Sequence, residues 1–251
     1  MRIGDSIFHS GREKIYKNSD KIVIFVHGFM GSPAQFDELM DLAYEQGFSV
    51  VSLLLPGHGK SGLSFAMSTL KSWEEYLDNQ LRRLSAYKVK YIGGHSIGGL
   101  LALNASLEFD INGIVLISTP LKIYLFKPSA LLKRIKLLLN RVDPNIKESY
   151  KVSKSIGKPY FITMPLWFRV LVQPHKLMRK TKKNLRNIYV PILVIHSEAD
   201  ETASIKSSAL FDTLLLHSKH EIVMLKESWH AFYTEEEKEI IRAKISDFIS
   251  T

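Results

Sequence analysis

The sequence predicts an α/β protein with a central, mostly parallel sheet. Two observations carry this: short Val- and Ile-rich runs alternate with longer amphipathic stretches, and several of the runs lack period-two alternation. Alternation of the two segment types is the signature of βαβ units, and an apolar strand without alternation is one covered by helices on both faces.

Taken in order, the residues before Asp20 are expected to start the sheet as antiparallel strands. Lys21–Val26 then reads as the first buried strand. Pro33–Gln46 follows as a helix, with Ser32 placed to cap it and Pro33 at the first helical position, where a missing N–H costs nothing. The pattern repeats with strand Phe48–Leu53 and helix Ser72–Tyr87, then strand Tyr91–Gly94 and helix Ile97–Leu107. Strand Gly113–Ile117 comes next. After a gap, strand Val190–His196, helix Ser204–Leu216, strand Glu221–Leu225 and helix Thr234–Ser250 complete the series.

The gap, residues 121–187, breaks the rhythm. It carries Pro128, Pro144, Pro159, Pro165 and Pro174 between two strands that a short crossover would otherwise join. It holds 17 Lys and Arg against Asp143 and Glu148, a balance of +15, so the rest of the chain is −6 and the net +9 belongs to this stretch alone. Leu131, Leu132, Ile135, Leu138, Leu139 and Val142 recur at helical spacing, with Lys133, Arg134, Lys136 and Arg141 on other faces. The reading is a core of 1–120 and 188–251, with a basic cap or lid inserted at 121–187 that contains one amphipathic basic helix.

Composition narrows the function. A hydrophobic fraction of 45% with 24% charged residues is that of a globular chain, not a disordered one. No Cys is present, which removes thiolate metal sites, iron–sulfur clusters and Cys nucleophiles. Neither a signal-peptide h-region at the N-terminus nor an apolar stretch of about 20 residues is found, so a soluble, cytoplasmic protein is expected.

Chemistry concentrates in Gly94-His95-Ser96-Ile97-Gly98, a G-x-S-x-G elbow that follows a predicted strand and opens a predicted helix. A serine hydroxyl is a weak nucleophile and needs an imidazole base oriented by a carboxylate. The order Ser, acid, His that accompanies this motif asks for a late histidine, and His230, between the last strand and the last helix, meets it. His95 points the wrong way by adjacency, His58 lies in a Gly-rich loop, and His217 and His220 read as solvated. Among Glu198, Asp200 and Glu201 in the loop after the preceding strand, Asp200 is the chosen acid, with the two glutamates read as solvated charges. The oxyanion donors would be the amides of Ile97, after the nucleophile, and Phe29, in the loop His27-Gly28-Phe29-Met30-Gly31.

With these residues in order, joined by Pro56-Gly57-His58-Gly59 and Ser61, the chain resembles the α/β-hydrolases, nearest to bacterial carboxylesterases and monoacylglycerol lipases. The resemblance implies a Ser96, Asp200, His230 triad, a cap inserted after the sixth strand, and cleavage of carboxylic esters with neither metal nor organic cofactor. Ile123, Phe126, Met164 and Trp167 are candidates to line an acyl pocket. The partners expected are a small-molecule ester and, through the basic cap, an anionic membrane surface. No nucleic acid is expected, because the aromatics of the insert do not interleave with Lys and Arg as a stacking platform would. The alternatives are a thioesterase, lysophospholipase or amidase using the same triad, and, from another class, a non-catalytic binding protein that keeps the fold.

Overall fold

A computed structural model describes residues 10–124, 127–156 and 164–250, with the backbone alone at 164. The strands are β1 (Arg12–Lys14), β2 (Lys21–Val26), β3 (Ser49–Leu53), β4 (Val89–His95), β5 (Gly113–Ile117), β6 (Ile192–Ser197) and β7 (His220–Leu225). Among the described residues they form one seven-stranded sheet in the order β1-β3-β2-β4-β5-β6-β7, parallel throughout except for β1, which pairs antiparallel with β3. The antiparallel start expected before Asp20 is a single short edge strand among the described residues.

Side chains alternate between two buried layers. In β2, Ile22, Ile24 and Val26 face one core while Val23 and Phe25 face the other. Both faces are apolar because both are covered, which is why period-two alternation is missing from the sequence. One cover is formed by α1 (Asp37–Glu45) and α10 (Glu235–Ile249), through Leu39, Met40, Ile241 and Ile245. The other holds α3 (Leu70–Arg83), α4 (Ile97–Ala105) and α9 (Lys206–Leu214), through Trp73, Leu77, Leu100 and Phe211. Every residue of α4 is buried. A short helix, α2 (Gly62–Ala66), precedes α3.

Local chemistry sets the boundaries, and two expectations change. Ser32 does not cap; its hydroxyl donates to Val152 O at 3.1 Å, and Pro33–Phe36 forms a 3-10 turn before α1 begins. Helix α3 begins at Leu70, earlier than the expected Ser72, because Thr69 and Ser72 form a reciprocal capping box.

Among its described residues, segment 121–187 holds four α-helices where one was expected: α5 (Pro128–Leu138), α6 (Pro144–Val152), α7 (Met164–Leu171) and α8 (Gln173–Asn184). The prolines read as breaks instead open helices, since Pro128, Pro144 and Pro174 occupy the first or second helical position. The basic helix stops before Val142, with Asn140 left-handed at φ 53°. Helix α8 lies on α4, where Asn104 donates to Thr181 Oγ1 at 2.7 Å and Asn184 donates to Asn104 Oδ1 at 2.8 Å. Among the described residues, no helix is long and apolar enough to cross a membrane.

The strand order has one functional consequence. From β2 the chain moves outward to β3, then returns to place β4 on the other side of β2. The loops leaving β2 and β4 therefore diverge side by side, opening the crevice in which α/β sheets hold ligands.

Candidate active site

Ser96 sits in that crevice between β4 and α4, with φ 53° and ψ −118°. A non-glycine residue there carries strain of order 1–3 kcal/mol, and the packing around it holds the turn closed. A Cβ on Gly94 would lie 2.3 Å from Gly99 N, and one on Gly98 would lie 1.9 Å from Val26 O. Only hydrogen fits at either position. Ser96 N donates to Ile117 O at 2.9 Å, fastening the elbow to the end of β5.

The loops after β6 and β7 bring the other two residues to this point. Asp200 is buried; its Oδ1 accepts from the amides of Thr202 at 2.6 Å and Ala203 at 2.7 Å, and its Oδ2 accepts from His230 Nδ1 at 2.8 Å. With its proton on Nδ1, His230 turns Nε2 as an acceptor toward Ser96 Oγ, 3.1 Å away. Burial alone would raise the Asp200 pKa, but the imidazole beside it and the backbone donors outweigh burial and hold it below the usual value. For His230, burial pulls down while Asp200, through charge and hydrogen bond, and Glu201 pull up, and the balance lies above the ordinary histidine value.

The loop after β2 presses against the same serine. A Cβ on Gly28 would come within 3.2 Å of Ser96 Cβ, so the chain carrying the Phe29 amide passes directly beside the nucleophile candidate. Ile97 is the first residue of α4. Gly31 N donates to Gly28 O at 2.9 Å and Met30 adopts φ 60°, which closes the loop. His27 ties it to the loop after β3: Nδ1 donates to Gly28 O at 2.9 Å and Nε2 accepts from Leu55 N at 3.0 Å.

The Phe29 ring packs edge-on against Phe65 and Trp73, at 5.0 and 6.1 Å between centroids, and Phe65 meets Trp167 at 5.4 Å. An aromatic wall thus adjoins the Phe29 loop. Ile123, half-buried, bridges to Ala203 behind Asp200. Phe126 and the side chain of Met164 lie outside the described residues.

The four other histidines weighed in the sequence divide by burial. His217 is exposed and stacked on Tyr189, and His220 is half-buried near Asp212 at 3.3 Å. His58 and His95 are buried, and desolvation pushes their pKa values down to about 4 and about 3, so both are neutral.

One residue departs from its sequence reading. Glu198 is exposed as expected, but Glu201 is 2% exposed and far from a solvated charge. Its Oε2 accepts from His230 N at 3.0 Å and its Oε1 accepts from Tyr150 Oη, on α6, at 2.6 Å. Nothing local in the sequence marks this, because the partners stand 29 and 51 positions away. Helix α5 also reaches the acid loop, where Lys133 Nζ donates to Ala199 O at 2.5 Å and Arg134 donates to Glu201 O at 2.7 Å. A cavity of about 740 Å³ opens between α1, α6 and the start of α10; it reaches His95 but not Ser96.

Comparison with known proteins agrees with the fold. Residues 17–237 match the profile of the family described as serine aminopeptidase, S33. The chain is 24% identical over 260 residues to the thermostable monoacylglycerol lipase of Bacillus sp. (strain H-257), covering 96% of this chain and 95% of that one. It is 20% identical over 244 residues to a carboxylesterase of Bacillus subtilis (strain 168), covering 93% and 94%. Among solved structures it is similar to that reported for LipS and LipT, two metagenome-derived lipolytic enzymes, with TM-score 0.76, 22% identity, and 97% and 98% of the two chains covered. That likeness is one of fold.

Proposed function

Given that the chain belongs to the serine aminopeptidase S33 family of α/β-hydrolase fold, we propose that it hydrolyses carboxylic esters through an acyl-enzyme on Ser96. The observation that carries this is the relay of 3.1 Å from Ser96 Oγ to His230 Nε2 and 2.8 Å from His230 Nδ1 to Asp200 Oδ2.

In this mechanism His230 Nε2 takes the Ser96 proton as Oγ attacks the ester carbonyl. The negative charge that forms on the carbonyl oxygen is met by the amides of Phe29 and Ile97. His230 then returns the proton to the leaving alkoxide, and the alcohol departs. Water, deprotonated by the same nitrogen, attacks the acyl-enzyme, and the acid leaves with Ser96 restored. Asp200 holds the imidazole in the tautomer that leaves Nε2 free.

The substrate we infer is an ester with an apolar acyl chain, such as a monoacylglycerol. The aromatic wall of Phe29, Phe65, Trp73 and Trp167 supports it, as does the likeness to the monoacylglycerol lipase and the carboxylesterase of the two Bacillus relatives. The segment 121–187 is proposed as a cap over the site. On α5, Leu132 and Leu138 are 54% and 81% exposed beside Lys133 and Lys136, a face suited to an anionic lipid surface. Binding to anionic but not neutral liposomes, lost at high salt, is the result expected; equal binding to both would reject that contact.

The test of the activity is a p-nitrophenyl ester series of rising acyl length on the wild type and Ser96→Ala. Turnover peaking at medium or long chains and lost in the variant, an effect of roughly 10⁶-fold, supports the reading. Equal rates in both proteins would sink it. The family's description as an aminopeptidase favours amide cleavage as a second reading, which aminoacyl p-nitroanilides would reveal.

A further inference from the structure

We infer that Glu201 is a positioning residue that fixes His230 against Ser96, and that Tyr150 on α6 makes the seating of the 121–187 segment part of that arrangement. The inference rests on the triad reading and goes beyond it, because it assigns work to a carboxylate and a phenol that never touch the reacting atoms.

Glu201 divides its two oxygens between the parts it joins. Oε2 holds the His230 backbone through its N–H at 3.0 Å, while Oε1 takes the Tyr150 hydroxyl at 2.6 Å and the Thr202 hydroxyl at 3.3 Å. A buried carboxylate with partners on both oxygens cannot rotate without leaving a donor unsatisfied. Since Asp200 orients the ring and Glu201 orients the backbone of the same residue, the imidazole is fixed at two points by adjacent acids.

Helix α6 then meets the site on both flanks. Ser149 donates to Ala231 O at 2.6 Å and Ala231 N donates to Tyr150 Oη at 3.4 Å, next to His230. Beyond the other end of the helix, Ser155 N donates to Met30 O at 3.2 Å and Ser155 Oγ donates to Gly31 O, on the Phe29 loop. Movement of α6 away from the core would therefore release the base and the oxyanion loop together.

Asp200 and Glu201 raise the His230 pKa and Arg134 on α5 lowers it, while the other titratable groups around these acids and the imidazole are Lys133 on α5, Tyr150 on α6, His95 on β4, His196 on β6 and Tyr233. Removing the Glu201 charge while keeping its shape shifts this balance in one direction.

The experiment compares wild type, Glu201→Gln and Tyr150→Phe by the NMR titration of the His230 imidazole and by kcat and KM on p-nitrophenyl acetate. For Glu201→Gln the expected result is titration at lower pH than wild type and a loss of kcat approaching about 100-fold, with KM unchanged. For Tyr150→Phe, kcat falls while the titration stays, because the charge remains. A Glu201→Gln protein that loses kcat without moving the titration would mark a merely structural residue, and a moved titration with unchanged kcat would remove the positioning role; either overturns the inference. If Glu201→Gln does not fold, Tyr150→Phe decides, and an unchanged kcat overturns it. Wild-type protein that cleaves no ester but labels at Ser96 with a fluorophosphonate has its labelling rate read in place of kcat. Wild type that does neither fails as a serine hydrolase alone, and the His230 titration then decides the role of Glu201.

Discussion

His95 Nε2 donates to His230 O at 2.8 Å, and the two rings stand 4.9 Å apart, so the residue before Ser96 supports the backbone of His230. Because the partner is a carbonyl, the His95 proton sits on Nε2. The same ring closes against Gly28, where a Cβ would lie 2.6 Å from Nδ1. The substitution His95→Phe removes the shorter of two donors to His230 O, leaving the Tyr233 hydroxyl at 3.4 Å. A stability loss of about 1–3 kcal/mol is expected in urea unfolding, with a drop in kcat and little change in KM.

The pH dependence of activity follows from the raised pKa of His230. The base must be neutral to accept the Ser96 proton, so kcat/KM should rise with pH through a midpoint above the ordinary histidine value of 6.5. In Asp200→Asn the wrong tautomer is favoured, and kcat should fall by about 10⁴-fold in steady-state assays.

Stability should rise with pH as well, over a lower range. His58 and His95 have folded values of about 4 and about 3 against an unfolded 6.5, so the unfolded chain binds more protons between those limits. Stability is full above pH 6.5 and is lost as pH falls toward 4, each group contributing a slope of about 1.4 kcal/mol per pH unit. Urea unfolding across this range measures the slope, and a flat profile would contradict the buried neutral state of both rings.

A methyl group at the elbow should be costly without touching any side chain of the triad. In Gly98→Ala the new Cβ meets Val26 O at 1.9 Å, so β2 or α4 must shift. Overpacking of at least about 1–3 kcal/mol is expected, read as a lower Tm together with lost turnover.

Trp73 is fully buried, and its Nε1 donates to Pro56 O at 3.1 Å. Trp73→Ala should cost about 3–5 kcal/mol by calorimetry and should weaken binding of long acyl chains more than short ones, because Phe29 loses its wall.

What could be read from the sequence is what short-range sterics dictate. Glycines at 94 and 98 around Ser96 are readable because a strand-to-helix turn that tight excludes side chains, and the buried strands are readable because apolar runs without alternation have few other solutions. Asp200 was separable from Glu198 by its distance past the strand. Glu201 was not separable, since its burial depends on a tyrosine in a distant helix and no local pattern encodes that partner. The four helices of 121–187 were hidden by prolines whose meaning, breaker or helix start, depends on where the preceding turn ends.

Ser96 and His230 stand 134 positions apart, on loops after β4 and β7, with β5 and β6 between those strands in the sheet. Their hydrogen bond can close only when those four neighbouring strands are in register, and loop-closure entropy makes such distant parallel pairing slow to form. In a refolding experiment, secondary structure should return first and reactivity of Ser96 toward a fluorophosphonate last. The serine would then serve as a clock for the final assembly of the chain.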